Sequence, residues 1–216
     1  MILAVTNVRG LPDRERAMLA KLLDTYNSHA IKNDQKNRYY EGKISVGSVN
    51  LGLALPKGIG KLEIGCAWGA KTVDVLAARS MFDGFVDLNG NTVSALDGIV
   101  TENRLVAEYM KACRDELKFG CVFATLSKDR RTGCKIRFHS PLSAAAIWDG
   151  ERGGILCGFV IADSKNGTPT VINYYTEDAV YILRNNSGVW NVGVINKGQI
   201  KILNVITKVN VISRTI

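Results

Sequence analysis

The feature that most constrains this chain is a change in hydrophobic period near Cys121. Beyond it, apolar and polar residues alternate with a period of two, which is typical of strands, whereas earlier segments repeat every three to four residues, as helices do. Strands are predicted near 121–127, 134–139, 144–149, 155–163, 169–176, 179–184 and 188–195. Short turns rich in Gly and Asn separate them, so an antiparallel β-meander is expected.

A long amphipathic helix is predicted over residues 11 to about 41, before the strands. Its apolar residues fall at spacings of three and four, and charged residues fill the other face. Pro12 suits the first helical position, where its missing N–H costs no hydrogen bond, and Gly42 is expected to end the helix. A second helix is predicted over about 68–80, with Trp68 in the core.

The third predicted helix covers 101–119 and has the clearest pattern. Thr101 is expected to cap its N-terminus, Glu102 to complement the helix dipole, and Gly120 to end it. Its buried stripe is expected to contain Leu105, Tyr109, Ala112, Cys113 and Leu117. Because the helices precede the strands, the predicted fold class is α+β.

Three segments follow from these patterns: an N-terminal helical arm over 1–42, an α+β domain over 43–195, and a basic Ile/Val tail over 196–216. A chain of 216 residues can bury a substantial core. The net charge is +8, and the tail holds four basic residues and no acid, so half of the excess charge lies there. The tail is either an authentic final strand or the product of out-of-frame translation, and the second interpretation is favoured.

Apolar runs and cysteine spacing argue against a membrane-spanning, a disulfide-bonded or a zinc-binding protein. No apolar run reaches about 18 residues, so no transmembrane helix is predicted. The first residues lack the basic start of a secretory signal, so an intracellular product is expected. The cysteines contain no C-x-x-C pair, which favours buried thiols over disulfides or zinc ligands: Cys66, Cys113, Cys121, Cys134 and Cys157.

One segment comes close to a phosphate-binding loop. Residues 65–72 follow the G-x-x-x-x-G-K-[ST] pattern of a P-loop except at Ala70, where the second glycine belongs. A Cβ at that position would crowd the backbone that wraps the phosphate. A degenerate P-loop nucleotide-binding enzyme is therefore an alternative, and the start of the second helix is the favoured interpretation.

The other polar residues predict no catalytic, cofactor-binding or metal site. His29 and His139 lack an acid or nucleophile at a supporting spacing, so structural or solvent-facing roles are expected. The basic turns at 55–61 and 128–133 are expected to be solvated rather than bound to phosphate. Four carboxylates lack the spacing of a metal loop, and surface or capping roles are expected for them: Asp83, Asp87, Asp97 and Glu102.

The order of these elements resembles the N-terminal wing region of the siphovirus-type portal protein family of tailed bacteriophages. The resemblance covers roughly residues 18–195 and consists of many weak matches in the right order rather than one diagnostic signature. The matching segments are Tyr39-Tyr-Glu-Gly42, Leu53-Ala-Leu-Pro56, the Trp-led helix 68–79, the helix 101–119 with Asn103 near its start, Cys121-Val-Phe-Ala-Thr125, Ile136-Arg-Phe-His-Ser-Pro141, Trp148-Asp-Gly150, and the hairpin from Ile155 to Asp163 running to Tyr174-Tyr175.

This resemblance implies a structural protein rather than an enzyme, with no cofactor. Portal proteins of this kind form a ring, generally dodecameric, at one capsid vertex, through which DNA is packaged and ejected and to which the tail is joined. The implied partners are further copies of the chain, the terminase, scaffold and capsid proteins, the head–tail connector and double-stranded DNA, with no membrane. The implied location is the virion, or the host cytoplasm before assembly or for a prophage remnant.

The chain also departs from the family. Family members continue into long stem helices, a clip and a loop that lines the DNA channel, and these have no counterpart here. The resemblance therefore implies a truncated wing region, and no DNA-contacting residue can be carried over to this sequence. A stand-alone α+β binding module of unrelated origin is the other alternative.

Overall fold

The fold is α+β, with the helices preceding a strand meander. The computed structural model describes residues 2–43, 68–129, 133–151 and 153–196, and the backbone of 200–205. The helices are α1 (Asp13–Tyr40), α2 (Trp68–Arg79), α3 (Asp97–Glu102, after a 3-10 turn at Ser94–Leu96) and α4 (Leu105–Phe119). The strands are β1 (Val8–Arg9), β2 (Val122–Asp129), β3 (Gly133–His139), β4 (Ala144–Asp149), β5 (Gly154–Lys165), β6 (Thr168–Tyr175), β7 (Ala179–Asn186), β8 (Val189–Asn196) and β9 (Ile200–Val205).

The strands form two sheets rather than one continuous meander. A six-stranded sheet has the order β1-β8-β7-β6-β5-β4, and a three-stranded sheet has the order β3-β2-β9. The predicted meander therefore accounts for β4 to β8, whereas β2 and β3 form a separate hairpin. The chain turns between β3 and β4 at Ser140–Ser143, where Ser143 N donates to Ser140 O. Pro141 in this turn has no N–H to donate, so the ladder cannot continue through it.

Helix α1 packs on the six-stranded sheet and shares its hydrophobic core. Leu22 of α1 and Phe159 and Ile172 of the sheet are completely buried in that core. The Tyr26 ring contacts Phe159 edge to face at 5.3 Å between centroids, and its hydroxyl donates to Leu142 O at 2.7 Å. Burying a Leu or Phe side chain of this kind stabilises the fold by about 1.5–3 kcal/mol.

Both ends of α1 follow from proline and glycine geometry. Pro12 is the N-cap residue, with ψ 149°, and not the first helical residue as predicted, so the helix begins at Asp13. Its carbonyl still accepts the first helical hydrogen bond, from Arg16 N at 2.9 Å. Gly42 ends the helix as predicted, with φ +68°. Lys43 N donates to Arg38 O, and Gly42 N to Tyr39 O, which together form a Schellman motif.

The predicted helix over 101–119 is in fact two helices. It breaks between α3 and α4 at Arg104, whose φ of +50° is left-handed. Thr101 lies inside α3 and does not cap a helix, so that prediction is wrong. The preceding residue explains the break, because the Asn103 amide donates to Cys134 O at 3.0 Å and accepts from Ile136 N at 2.9 Å. Asn103 thus hydrogen-bonds to β3 in the way that a neighbouring strand would.

Most of the buried stripe predicted for the third helix is confirmed in α4. Leu105, Ala112 and Cys113 are buried, and Tyr109 is half-buried. Leu117 is exposed, contrary to the prediction, and Phe119 is buried in its place. Gly120 ends α4 as predicted, with φ +86°.

The tail contributes a strand over the part that the structure describes. The backbone of β9 pairs antiparallel with Val122–Ser127 of β2, as the interpretation of an authentic strand expects. Out-of-frame translation is a statement about the gene and stays a prediction. At the other end of the chain, the sequence did not predict β1, which pairs parallel with β8, placing Val8 opposite Trp190.

Candidate interaction surface

One side of α2 is held close against α1 and α4 by small side chains. Ala77 is completely buried, and Ala70 and Val73 are half-buried. At Gly69 an added Cβ would lie 3.3 Å from the Tyr39 carbonyl oxygen, closer than most Cβ contacts. Small residues let helices approach closely, so this side of α2 is the side that packs inward.

A polar cluster on the same side joins the three helices. Asp74 Oδ1 accepts from the Tyr40 hydroxyl at 2.9 Å and from Arg114 Nε at 2.8 Å. Lys118 Nζ lies 4.6 Å from the centre of the Tyr40 ring and 3.0 Å from Asp115 Oδ1. Burial, and then the neighbouring Asp74 carboxylate, raise the pKa of Tyr40. Because the Asp74–Arg114 pair is partly exposed, it contributes at most about 1 kcal/mol, and its main effect is to fix the rotation of α2.

The opposite side of α2 turns large apolar residues to solvent. Trp68 is 80% exposed, and Val75 and Leu76 are each 46% exposed. With two further residues they line a shallow groove of about 570 Å³, and the five together are called the α2 face: Trp68, Lys71, Thr72, Val75 and Leu76. The predicted core position of Trp68 is wrong, because Ala77 and Asp74 hold the other side of the helix inward.

Exposed apolar residues continue after α2. Met81, Val86 and Leu88 are all strongly exposed. The segment that carries them is fixed by the Phe82 ring, which lies 5.3 Å from the ring of Phe85 and 5.6 Å from that of Tyr109 on α4.

A carboxylate closes the turn within this segment. Asp87 Oδ1 accepts hydrogen bonds from Asn89 N at 2.9 Å and Asn91 N at 2.8 Å. Hydrogen bonds from the Asn91 backbone and side chain are the main cause that lowers the pKa of Asp87. The exposed apolar residues Val86 and Leu88 therefore lie on or next to an ordered turn.

The segment that resembles a P-loop shows no phosphate-binding arrangement where it is described. Residues 65–67 lie outside the described residues, as does the predicted basic turn at 55–61. The Thr72 hydroxyl, which would bind Mg²⁺ in a P-loop, donates to Trp68 O of its own helix at 2.9 Å. Lys71 is exposed on the α2 face. Part of the basic turn at 128–133 also lies outside the described residues.

The two histidines occupy different environments. His29 is exposed on α1. His139 ends β3, and its Nε2 lies 2.9 Å from Oγ1 of the buried Thr125. Burial, and then the positive charge of Arg137, lower the pKa of His139 to about 4. The imidazole is therefore neutral near pH 7 and hydrogen-bonds to a residue of the neighbouring strand β2, and its structural role stays a prediction.

The described cysteines behave largely as predicted. Cys113 and Cys157 are buried thiols, Cys121 and Cys134 are half-buried, and Cys66 lies outside the described residues. Burial raises the pKa of the Cys157 thiol to about 11. Within the described ranges, no group of three His, Cys, Asp or Glu side chains is placed to hold a metal ion. Among the helices described above, none combines the length and the apolar character needed to cross a membrane.

No protein-family model matches this chain, and no curated protein matches it in sequence. The interpretation of its function therefore depends on the order of its elements and on the surfaces described above. The α2 face is the feature that the sequence analysis missed. The signal was present in Gly69, Ala70 and Ala77, since small residues clustered on one side of a helix mark a close packing contact.

Proposed function

We propose that this chain is the wing region of a siphovirus-type bacteriophage portal protein. In this role it is a structural component of an oligomeric ring at the capsid vertex and takes part in DNA packaging, DNA ejection and head–tail joining without catalysing a reaction. The observation that carries the proposal is the α2 face. An isolated subunit leaves Trp68 in water, whereas a neighbouring subunit in a ring would cover it, and buried aromatic residues are typical of interface centres.

The charges around the α2 face support a contact between copies. Lys71 and Arg79 are exposed along α2, while Asp74 is bonded to Tyr40 and Arg114 on the inner side. The next segment, over 80–103, contains acidic residues and no Lys or Arg. A basic surface on one copy and an acidic surface on the next favour a head-to-tail contact, and such heterologous contacts form a ring when the rotation between copies closes.

The order of elements also supports the proposal. A long helix, a Trp-led helix, a further helical region and a meander succeed one another in the order that the portal resemblance expects, except that two helices stand where it expects the single helix 101–119. In this proposal the partners are further copies of the chain, the terminase, the scaffold and capsid proteins, the head–tail connector, and double-stranded DNA. The location is the portal vertex of the virion, or the host cytoplasm before assembly.

The first test measures self-association of the purified chain by native mass spectrometry and light scattering over a concentration series. We expect oligomers that Trp68→Ser weakens at least about 30-fold in dissociation constant, since interface anchors contribute about 2 kcal/mol or more. Trp148→Ser is the matched control, because Trp148 is also an exposed tryptophan but lies on β4, outside the α2 face. A monomer at every concentration, or equal weakening by both substitutions, would contradict the role of the α2 face.

The second test asks whether the gene is a portal gene. The DNA downstream of the Trp190 codon is sequenced and translated in all three frames. We expect one frame to continue into amphipathic stem helices and a clip-like segment. If every frame ends at a stop codon or runs into an unrelated gene, the portal assignment is contradicted and a stand-alone binding module is favoured. This holds whatever the outcome of the association test.

A further inference from the structure

A cavity of about 360 Å³ lies between α1, the end of α4, the start of β2, and β4. It has no residue in common with the α2 face. Its volume corresponds to roughly twelve water molecules at about 30 Å³ each. It lies at the lower end of the range of about 300–1,000 Å³ that is usual for small-molecule sites.

The floor of this cavity is apolar. Buried side chains from two helices and two strands form it: Tyr26, Phe119, Phe123, Ala144 and Ala145. The Tyr26 hydroxyl is engaged with Leu142 O, so Tyr26 lines the cavity mainly with its ring. Cys121 and Ala146 complete the floor and are only half-buried. A ligand that enters here gains contact with aromatic and methyl groups but meets few polar partners.

The rim, by contrast, is basic on one side. His29, Lys32 and Lys36 line the cavity at spacings of three and four, which places them on one stripe of α1. Lys36 Nζ donates to the Phe119 carbonyl oxygen at 3.4 Å, which directs its ammonium group across the mouth. Among the described residues that line the cavity there is no Asp or Glu. The Glu116 carboxylate on α4 interacts electrostatically with the Cys121 thiol, but Glu116 does not line the cavity.

We propose that this cavity binds a small amphipathic carboxylate, such as a short aliphatic or single-ring aromatic acid. The carboxylate pairs with Lys32 and Lys36, and the hydrocarbon part packs on Phe119 and Phe123. A bare inorganic anion would leave the apolar floor unused, and a neutral hydrocarbon would leave the two ammonium groups without a counter-charge. This binding activity is independent of the proposed role in a ring.

Cys121 supplies a direct readout, because its half-buried thiol lies inside the cavity. A bound ligand should slow alkylation of Cys121 by iodoacetamide, followed by peptide mass spectrometry. Cys134 is half-buried on β3 and does not line the cavity, so its alkylation rate is the internal control. The readout uses the unaltered chain and therefore does not depend on whether any variant folds.

The experiment compares octanoate with 1-octanol and with inorganic phosphate, in the alkylation assay and by calorimetry. Octanoate is expected to bind with a Kd of about 1 mM, as a ligand of this size allows, and to protect Cys121 alone. The double substitution Lys32→Gln with Lys36→Gln should weaken binding at least about tenfold, since a charge-assisted hydrogen bond is being removed. Lys21→Gln, at an exposed position of α1 outside the cavity, should leave binding unchanged.

A filling variant tests the apolar part of the site. Ala146→Leu places three further carbon atoms at the half-buried edge of the floor and should abolish protection of Cys121 by octanoate. The proposal is overturned if octanoate fails to protect Cys121 at about ten times the expected Kd. It is also overturned if 1-octanol or phosphate protects equally well, or if the lysine double variant binds octanoate as tightly as the unaltered chain.

Discussion

The stability of this fold should depend on pH through one imidazole. His139 has a pKa of about 4 in the folded chain because burial, and then Arg137, disfavour its charged form, whereas its ordinary value is 6.5. Between these two values the unfolded chain binds more protons than the folded chain. The free energy of unfolding therefore falls as the pH falls from about 6.5 to about 4, and it is insensitive to this group at higher pH.

The size of the effect follows from the separation of the two pKa values. At about 1.4 kcal/mol per unit, the complete loss is about 3 kcal/mol, of which about 2 kcal/mol falls between pH 7 and pH 5. Urea unfolding at these two pH values measures it. His139→Gln keeps a polar group near Thr125 but cannot titrate, so this variant should lose about 2 kcal/mol less than the unaltered chain over the same interval.

His29→Gln is the matched control, because His29 is exposed on α1. This variant is expected to keep the pH dependence of the unaltered chain. Equal losses for the unaltered chain and for His139→Gln would refute the reasoning. A smaller loss for the unaltered chain than for the variant would show that the folded state favours the imidazolium.

Three further substitutions test separate features of the fold. Asn103→Ala removes the hydrogen bonds to Cys134 O and Ile136 N and should cost about 1–3 kcal/mol in chemical denaturation. Gln35→Ala, at an exposed position of α1, is the control and should change the stability by no more than about 0.5 kcal/mol. Gly120→Ala, at φ +86°, should lower the stability by about 1 kcal/mol. Gly98→Ala lies inside α3, where an added Cβ meets nothing within 4 Å, and should raise the stability by about 1 kcal/mol. A change of the same sign for both variants would contradict this account. Asp74→Asn should lower the pKa of Tyr40 in a spectroscopic titration while changing the stability by no more than about 1 kcal/mol, and an unchanged Tyr40 titration would contradict the cluster.

The sequence predicts much of the strand pattern because local chemistry determines it. The predicted strands from 144–149 to 188–195 agree with β4 to β8 to within a few residues. Asn166–Gly167 and Ser187–Gly188 both adopt positive φ, which two-residue hairpin turns require and which these residue types tolerate. Gly42 and Gly120 mark helix ends for the same local reason.

The errors arise where distant residues decide the outcome. The break between α3 and α4 depends on Asn103 and on β3, which lies about thirty residues later in the chain. The orientation of α2 depends on Tyr40 and Arg114, since its own sequence presents a large-residue side and a small-residue side that either could have been buried. Two paired residues make β1 too short for any periodicity to reveal.

The sequence did not predict the two candidate sites, because residues that are distant in the chain form them. Trp68 is predicted in the core but lies at the surface, and the packing of α2 against α1 and α4 decides this orientation. The cavity is formed by one stripe of α1 and by residues more than eighty positions later, such as Phe119 and Ala144. No spacing within a single segment signals it.

The parallel pairing of Val8 with Trp190 joins the two strands of the six-stranded sheet that are farthest apart in the chain. Helix α1 leaves the ribosome roughly 150 residues before β8, a strand of the six-stranded sheet on which it packs, has been made. At about 5–20 residues per second, the apolar stripe of α1 waits roughly 8–30 s for its sheet. Nascent chains are therefore exposed to premature association during synthesis, and β1 can pair only after β8 has been made.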